Sequence, residues 1–373
     1  MTASLPLPIE MVTQSAQLSA AIRGMDGSAT IALDTESNSS HYYPEQLCLI
    51  QIATRNRAYV IDTIVHKDVA PLGTILADSS IMKVIHGADY DIRCLDRHYG
   101  FRVQNLYDTH IAARFAGLTE VGLAALLRDL LGINIVKSHR LQTADWGRRP
   151  LSIEAIDYAA SDVCHLLSLQ EILDKKLQAL GRTTWAAEEF TRLEEVRYTP
   201  PDLERAFLSV KGADDLDGRG LAILRSLFLF RDEEARRQHR PPFFIMPDIA
   251  LVSLAAAPTT DGMGPGLQRY RRGIQQALHD GLSAPPVQAP PPPMYEPSSP
   301  EQIKRLSRLK VWRAELAKEL NLDPSLLWPT VSIQRLAREP ASFDMELNSP
   351  GIRRWQREQF AASLQKLLTG KVS

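Results

Sequence analysis

The sequence predicts a mixed α/β domain followed by two small all-α domains. Three short apolar segments with brief connections lie near the start of the chain, a spacing typical of an antiparallel meander. Helical and strand-like segments alternate after them, as they do in mixed α/β sheets. From residue 203 onwards the chain is mostly helical, and a proline-rich stretch divides this half into two parts.

The elements of the first half follow from hydrophobic periodicity and from residues that begin or end helices. Asp108 and Ser152 are expected to be helix N-caps, because their side-chain oxygens can accept from free N–H groups of a first turn. In chain order we predict a helix over 8–23, strands over 30–33, 47–53 and 58–61, a helix over 68–76, a strand over 82–86, a helix over 92–99 closed by Gly100, a short strand from 105, and helices over 111–115, 122–131 and 153–169.

The second half contains two breaks in the helical pattern. The segment 198–202, with two prolines, is typical of a domain boundary. Residues 284–300, with Pro290–Pro293 at their centre, predict an extended polyproline spacer. The predicted domains are therefore an α/β domain over 1–198, a helical domain over 199–283, a linker over 284–300 and a second helical domain over 301–373.

Composition excludes several classes of protein. The 373-residue chain is 44% hydrophobic, but it has no apolar run of roughly eighteen residues, so no membrane span is expected. No signal peptide is visible, and the three cysteines lack the spacing of metal ligands. Free thiols in a cytoplasmic protein are therefore expected. Because the net charge is −1, a polyanionic partner must be held by local basic patches or by metal ions.

Two carboxylates end the first predicted strand of the meander. Asp34 and Glu36 are two residues apart, and alternation along a strand places them on the same face. Two like charges held together are unfavourable unless one is protonated or a cation lies between them. A strand end with two solvated acids is an equally good interpretation of this segment alone.

A second pair of polar residues lies on the last helix of the α/β half. Tyr158 and Asp162 are four residues apart and therefore share one helical face. Two alanines between them allow the helix to pack closely. By itself, this pair is most simply an ordinary hydrogen-bonded phenol and carboxylate.

Together these motifs resemble the DEDD superfamily of exonucleases, in the subclass that has tyrosine in the last motif. The residues that carry the resemblance are Asp34-x-Glu36, Asp91 after His86-Gly87, and Tyr158-x-x-x-Asp162. Flanking segments are similar to those of the ribonuclease D family: Tyr42-Tyr43-Pro44, Leu47-Cys48-Leu49-Ile50-Gln51, Asp145-Trp146 and Arg149-Pro150-Leu151. The helices around Pro241 and Pro242 resemble the HRDC domain, and residues 301–373 resemble a second, diverged unit of this kind.

The resemblance implies a ribonuclease-H-like exonuclease domain that removes nucleotides one at a time from RNA 3′ ends. Precursor tRNAs with single-stranded 3′ ends would be its substrates. Two divalent cations, Mg²⁺ or Mn²⁺, would be its cofactors. Asp34 would bridge both ions, with Glu36 and Asp162 on the ion nearer the nucleophile. Asp91 would serve the second ion, and Tyr158 would orient the attacking water.

Several further expectations concern the substrate. Candidate substrate contacts are Thr35, His86, Lys137, Gln142 and Arg149, although His86 is more readily explained as a structural contact. Relatives usually carry an aromatic residue where this chain has Ser37, so the grip on the terminal base must differ here. Two alternatives stay open: a DNA 3′ exonuclease and a catalytically silent RNA-binding scaffold. The presence of all five matching catalytic side chains argues against the scaffold.

Overall fold

The computed structural model describes residues 6–135, 139–288 and 297–369. Its centre is a six-stranded sheet in the order β1-β4-β3-β2-β5-β6. The strands are β1 (Ile9–Val12), β2 (Thr30–Ser37), β3 (Leu47–Ala53), β4 (Ala58–Asp62), β5 (Met82–Ile85) and β6 (Leu106–Asp108). Lys137 and the Pro290–Pro293 run fall outside the described residues. Within those residues, no helix combines the length and the apolar character needed to cross a bilayer.

The predicted antiparallel meander is confirmed. Strand β3 pairs antiparallel with both β2 and β4, whereas β5 and β6 continue the sheet in parallel from β2. Every residue of β3 and β4 is buried. Most consecutive positions in these two strands are apolar. This is the pattern expected for strands of a sheet that is covered on both faces.

The predicted helix over 8–23 is wrong in its first half. Residues Ile9–Val12 form β1, which pairs in parallel with β4 at the sheet edge. The helix α1 begins only at Ser15 and continues to Met25. Four residues are too few for strand and helix periodicity to differ, so only the pairing with β4 decides the conformation of this segment.

Most predicted helices of the α/β domain are present, but the one expected over 68–76 begins only at Leu72, and the helices His139–Gln142 and Thr183–Glu194 were not predicted. The predicted helix over 153–169 is split at His165 into α7 and α8. Ser152 caps α7 and Asp108 caps α4 through their side-chain oxygens, as predicted. The remaining helices are α2 (Leu72–Ala77), α3 (Asp89–Tyr99), α4 (Thr109–Phe115), α5 (Leu123–Leu131), α6 (His139–Gln142), α7 (Ile153–Cys164), α8 (Leu166–Ala179) and α9 (Thr183–Glu194).

Two apolar cores cover the two faces of the sheet. Ile31 and Leu33 of β2 pack with residues of α1, α2 and α3. Ala32, which lies between them, packs on the opposite face with residues of α7 and α8. Because side chains alternate along β2, Asp34 and Glu36 belong to the α7 face, and Thr35 and Ser37 belong to the α3 face.

The C-terminal half consists of helices and short 3₁₀ segments. A separate apolar core joins the helices of residues 203–283. The helices are α10 (Leu203–Ala206), α11 (Gly218–Gln238), α12 (Pro242–Ile245), α13 (Asp248–Ala256), α14 (Pro265–Gln268), α15 (Arg271–Ser283), α16 (Pro300–Leu320), α17 (Pro324–Leu327), α18 (Thr330–Arg338), α19 (Phe343–Leu347) and α20 (Arg354–Thr369).

The last helices share an apolar core with the α/β domain. The indole of Trp355 on α20 stacks on that of Trp185 on α9, with ring centroids 4.7 Å apart. Beside them, Arg353 forms an ion pair with Glu189 at 2.7 Å. Arg182 donates to the carbonyl oxygens of α4 and α16 at their C-terminal ends. The unit formed by α16–α20 is therefore fixed against the exonuclease-like domain and is not a separate globule.

Candidate active site

Three carboxylates meet on the α7 face of the sheet. Strand β2 supplies Asp34 and Glu36, and α7 supplies Asp162. One ligand oxygen from each of the three lies within 4.8 Å of the others. The close approach of α7 is possible because Ala159 and Ala160 are fully buried and add little bulk between helix and sheet. This geometry is suitable for a cation that prefers oxygen ligands.

Asp91 reaches the same site from the other face. Strand β5 pairs with β2 only as far as Ala32, so the upper part of β2 is open at this edge. The first turn of α3 fills the opening, and Thr35 Oγ1 donates to Asp91 Oδ1 at 2.5 Å. Burial first, and then repulsion from neighbouring acids that include Asp91, raises the pKa of both Asp34 and Glu36. We call Asp34, Glu36, Asp91 and Asp162 the acid cluster.

Asp108 holds the turn that precedes α3. One carboxylate oxygen caps α4, and the same side chain accepts from the backbone N–H groups of Gly87 and Ala88 at 3.2 and 2.8 Å. Gly87 has φ of +75°, a conformation that side chains disfavour. The predicted structural role of Asp108 is confirmed, and the structure adds that this residue fixes the approach of α3 to the site.

The acid cluster places several carboxyl groups together in a buried site, and this disfavours their ionised forms. Burial first, and then repulsion from Asp91, Asp162 and Glu36, raise the pKa of Asp34 well above its usual range. Burial and repulsion from Asp162 and Asp91 raise the pKa of Glu36 to about 9. Burial raises the pKa of Asp91 to about 7, although the hydrogen bond from Thr35 opposes this shift. The four acids repel one another when they are ionised. A bound cation would offset this repulsion and favour their ionised forms.

Tyr158 lies next to the acid cluster on α7. Burial and the charges of Asp162 and Glu36 raise the pKa of its phenol, so the hydroxyl stays protonated at neutral pH. The side chain of Gln142 hydrogen-bonds to this phenol. Trp146, which is almost fully buried, packs beside Tyr158, with 6.0 Å between the two ring centroids.

The other predicted substrate contacts differ in their surroundings. The Thr35 hydroxyl is buried and bonded to Asp91. His86 Nδ1 lies 2.9 Å from Thr109 Oγ1 at the end of β5, which is a structural contact of the kind expected. Lys137 lies outside the described residues, so its role stays a prediction.

Arg149 is engaged by the protein itself. Its Nε and Nη2 atoms bind both oxygens of Asp62 at 2.6 and 2.7 Å, and Asp62 is almost fully buried. Its remaining donors reach the backbone carbonyl oxygens of Trp146, Arg148 and Cys48. Since an arginine has only five N–H donors, this arrangement favours a structural role over the phosphate contact that the sequence suggested.

Two residues near the acid cluster were not assigned this position from sequence. Gln51 stands opposite Asp34 in the β2–β3 register, is fully buried, and has no hydrogen-bond partner for its amide among the described residues. Its amide therefore satisfies no backbone group among the described residues. Tyr90 lies between Asp89 and Asp91 on the first turn of α3, where its hydroxyl reaches Ser37. Its position directly before a motif acid is the one signal that could have found it.

The loop after β2 connects the site to the first helical unit. Tyr42 stacks on His239 at the end of α11, with centroids 5.1 Å apart. The Tyr43 hydroxyl donates to Asp232, and the guanidinium of Arg236 lies 5.2 Å above the Tyr43 ring. The basic end of α11 is therefore held beside the loop that leads out of the acid cluster.

The chain is similar to known exonucleases along most of its length. Residues 9–178 match the family described as 3′-5′ exonuclease, and residues 220–262 match the HRDC domain. Ribonuclease D of Granulibacter bethesdensis is 31% identical over 375 residues, which cover 97% of this chain and 93% of that protein. The crystal structure of Escherichia coli RNase D, an exoribonuclease involved in structured RNA processing, has a TM-score of 0.75 and 25% identity over 98% of this chain and 100% of that chain. The catalytic core of RRP6 from Trypanosoma brucei shares the fold, with a TM-score of 0.66 at 24% identity over 75% of this chain and 82% of that chain.

Proposed function

The chain belongs to the ribonuclease D family and is a 3′-5′ exoribonuclease, and we propose that its acid cluster holds the two divalent cations that this reaction requires. The observation that carries the proposal is the convergence of Asp34, Glu36 and Asp162, with ligand oxygens within 4.8 Å of one another. Asp91, fixed by Thr35, completes the set from the other face.

The donor set is suitable for Mg²⁺ or Mn²⁺. Carboxylate oxygens are the ligands that these hard cations prefer, and no sulfur or imidazole ligand belongs to the group. When bound, two such ions lower the pKa of a water and stabilise the attacking and leaving oxygens of the phosphodiester. As the resemblance to the family implies, Asp34 would be a ligand of both ions, Glu36 and Asp162 would help to hold the ion nearer the nucleophile, and Asp91 would help to hold the second ion.

We propose that Tyr158 orients the attacking water. Its raised pKa keeps the phenol protonated, so it cannot serve as a general base at neutral pH. The side chain of Gln142 lies beside this phenol, opposes part of its pKa shift, and is proposed to help hold the hydroxyl. Bound metal ions would supply the acidity of the water, and Tyr158 would hold the water in position.

The helical units are proposed to hold the RNA body. Residues 199–283 form the HRDC unit, and residues 301–373 form the second helical unit, joined by the linker over 284–300. Arg236 is held beside the loop from β2, and Arg240 at the end of α11 lies 5.1 Å from the ring centre of Phe244, which is exposed. Arginine and exposed aromatic rings together favour single-stranded RNA. Precursor tRNAs with free 3′ ends are the proposed substrates.

The test uses 5′-labelled RNA and DNA oligomers with Mg²⁺, Mn²⁺ or EDTA. Shortening of the RNA by single nucleotides, only with the metal, is expected. Asp162→Asn should abolish cleavage, whereas Asp157→Asn on the same helix, an exposed position, should not. Cleavage in EDTA, or normal turnover of Asp162→Asn, would contradict the metal assignment. Faster shortening of the DNA oligomer than of the RNA would favour the alternative of a DNA 3′ exonuclease.

A further inference from the structure

We propose that Tyr90 is the surface on which the 3′-terminal base stacks, in place of the aromatic residue that position 37 lacks; this rests on the proposed exonuclease site. Tyr90 directly precedes Asp91 of the acid cluster on the first turn of α3. The residue is 46% exposed, and it is the one exposed Phe, Trp or Tyr among the described residues before 199. An aromatic side chain that is nearly half exposed therefore lies directly beside a motif acid.

The hydroxyl of Tyr90 is anchored at two points. It lies 2.5 Å from Ser37 Oγ, and it donates to Glu45 Oε2 at 3.1 Å. Glu45 is itself fixed by an ion pair with Arg97 of α3. Ser37 directly follows Glu36 on β2, so the ring spans the space between the two backbone segments that supply Glu36 and Asp91.

This anchoring favours stacking, although the ring itself provides the stacking surface. A ring with its hydroxyl fixed loses little conformational freedom when a base covers it, so stacking has a small entropic cost. The small side chain of Ser37 leaves the space that the Tyr90 hydroxyl occupies, and a bulky residue there would displace it. Every base has a flat face, so such a surface accepts any terminal nucleotide, as an exonuclease needs.

A purely structural role explains the position less well. Hydrogen bonds exposed to water add little to stability, and both bonds of this hydroxyl lie at exposed positions. Nearly half of the side chain is in contact with solvent, so its burial contributes little to the core. The exposed part of this side chain is left for a substrate to cover.

The experiment measures stacking directly with RNA that carries 2-aminopurine as its 3′-terminal base. Full-length protein binds this RNA in Ca²⁺, which accepts oxygen ligands in looser geometry than Mg²⁺. We expect wild-type protein and Tyr90→Phe to quench the fluorescence, and Tyr90→Leu and Tyr90→Ala to lose the quenching. In Mg²⁺, KM of these two variants should rise roughly ten- to hundredfold for ordinary RNA, since stacking on one ring contributes that much.

A double variant separates stacking from folding. Tyr90→Ala with Ser37→Phe places a ring beside the same gap, and it should recover quenching and KM. RNA that ends in an abasic nucleotide should have the same KM with wild-type protein and Tyr90→Leu. Unchanged quenching in Tyr90→Leu would overturn the inference even if RNA is still degraded. Absence of metal-dependent cleavage by wild-type protein would instead overturn the proposed function, and the quenching measurement would still decide the role of Tyr90.

Discussion

Glu36→Gln should stabilise the metal-free protein above about pH 5 while it removes a metal ligand. Burial and repulsion from Asp162 and Asp91 raise the pKa of Glu36 to about 9 in the folded protein, against 4.5 for the free side chain. Between these two values the folded state binds a proton more tightly than the unfolded state does. The free energy of unfolding therefore falls as pH rises through this window, and the loss is absent below it. A neutral glutamine does not incur this cost.

The magnitude follows from the shift. At pH 7.5 the solution is three pH units above 4.5, and one unit corresponds to about 1.4 kcal/mol, so the ceiling is about 4 kcal/mol. Water entry and protonation of the other acids reduce this figure, and we expect a gain of about 1–2 kcal/mol. For a domain of this size, that corresponds to an increase in Tm of roughly 2–8 °C.

The assay is thermal unfolding in EDTA at pH 4.5 and pH 7.5. Glu36→Gln and wild-type protein should have similar Tm values at the lower pH, and the variant should be higher at pH 7.5. Adding Mg²⁺ should raise Tm of wild-type protein at pH 7.5 and reduce or reverse the difference. Glu195→Gln, a change at an exposed carboxylate of the same domain, is the control and should change neither value.

The reasoning would be refuted by a variant that is less stable than wild-type protein at pH 7.5 in EDTA. The same conclusion would follow from a difference in Tm that does not depend on pH. Either result would mean that the carboxylates of the acid cluster do not repel one another in the folded chain.

Three further changes test other parts of the structure. Tyr158→Phe should slow single-turnover hydrolysis about 10- to 100-fold with unchanged Mg²⁺ dependence, because the water loses its orienting hydroxyl; an unchanged rate would exclude this role. Asp62→Ala leaves the Arg149 charge without its buried partner and should cost about 3 kcal/mol in denaturant unfolding, whereas Glu171→Ala at an exposed ion pair should cost under about 1 kcal/mol; equal costs would contradict the structural role of Arg149. Trp355→Ala should cost about 3–5 kcal/mol and expose α16–α20 to limited proteolysis, and unchanged resistance would mean that the stacked indoles do not hold this unit.

Local rules made much of the fold predictable. Capping by Asp108 and Ser152 depends on a few adjacent residues, and both caps are present as expected. The same-face placement of Asp34 and Glu36 follows from strand alternation alone. The strand β1 was missed because its conformation depends on pairing with β4, far along the chain, and not on its own four residues.

The wider surroundings of the site were not predictable in this way. Arg149 was expected to contact phosphate, but its guanidinium donates two hydrogen bonds to the buried carboxylate of Asp62. Gln51 and Tyr90 have ordinary sequence contexts, and their positions beside the acids become visible only after the strands and α3 are packed. The core shared by α16–α20 and the α/β domain likewise joins segments that the sequence separates into different units.

The sequence by itself determined the chemistry of this protein: the identity and order of four acids and a tyrosine, on elements whose type follows from short-range periodicity. Only the tertiary structure decided how these groups meet. Strand β5 pairs with β2 only as far as Ala32. The first turn of α3 therefore packs beside the rest of β2, where Asp91 accepts a hydrogen bond from Thr35. The physical reason is that backbone alternation and capping act over a few residues, whereas the separation of charges across distant elements is fixed by how helices and strands pack.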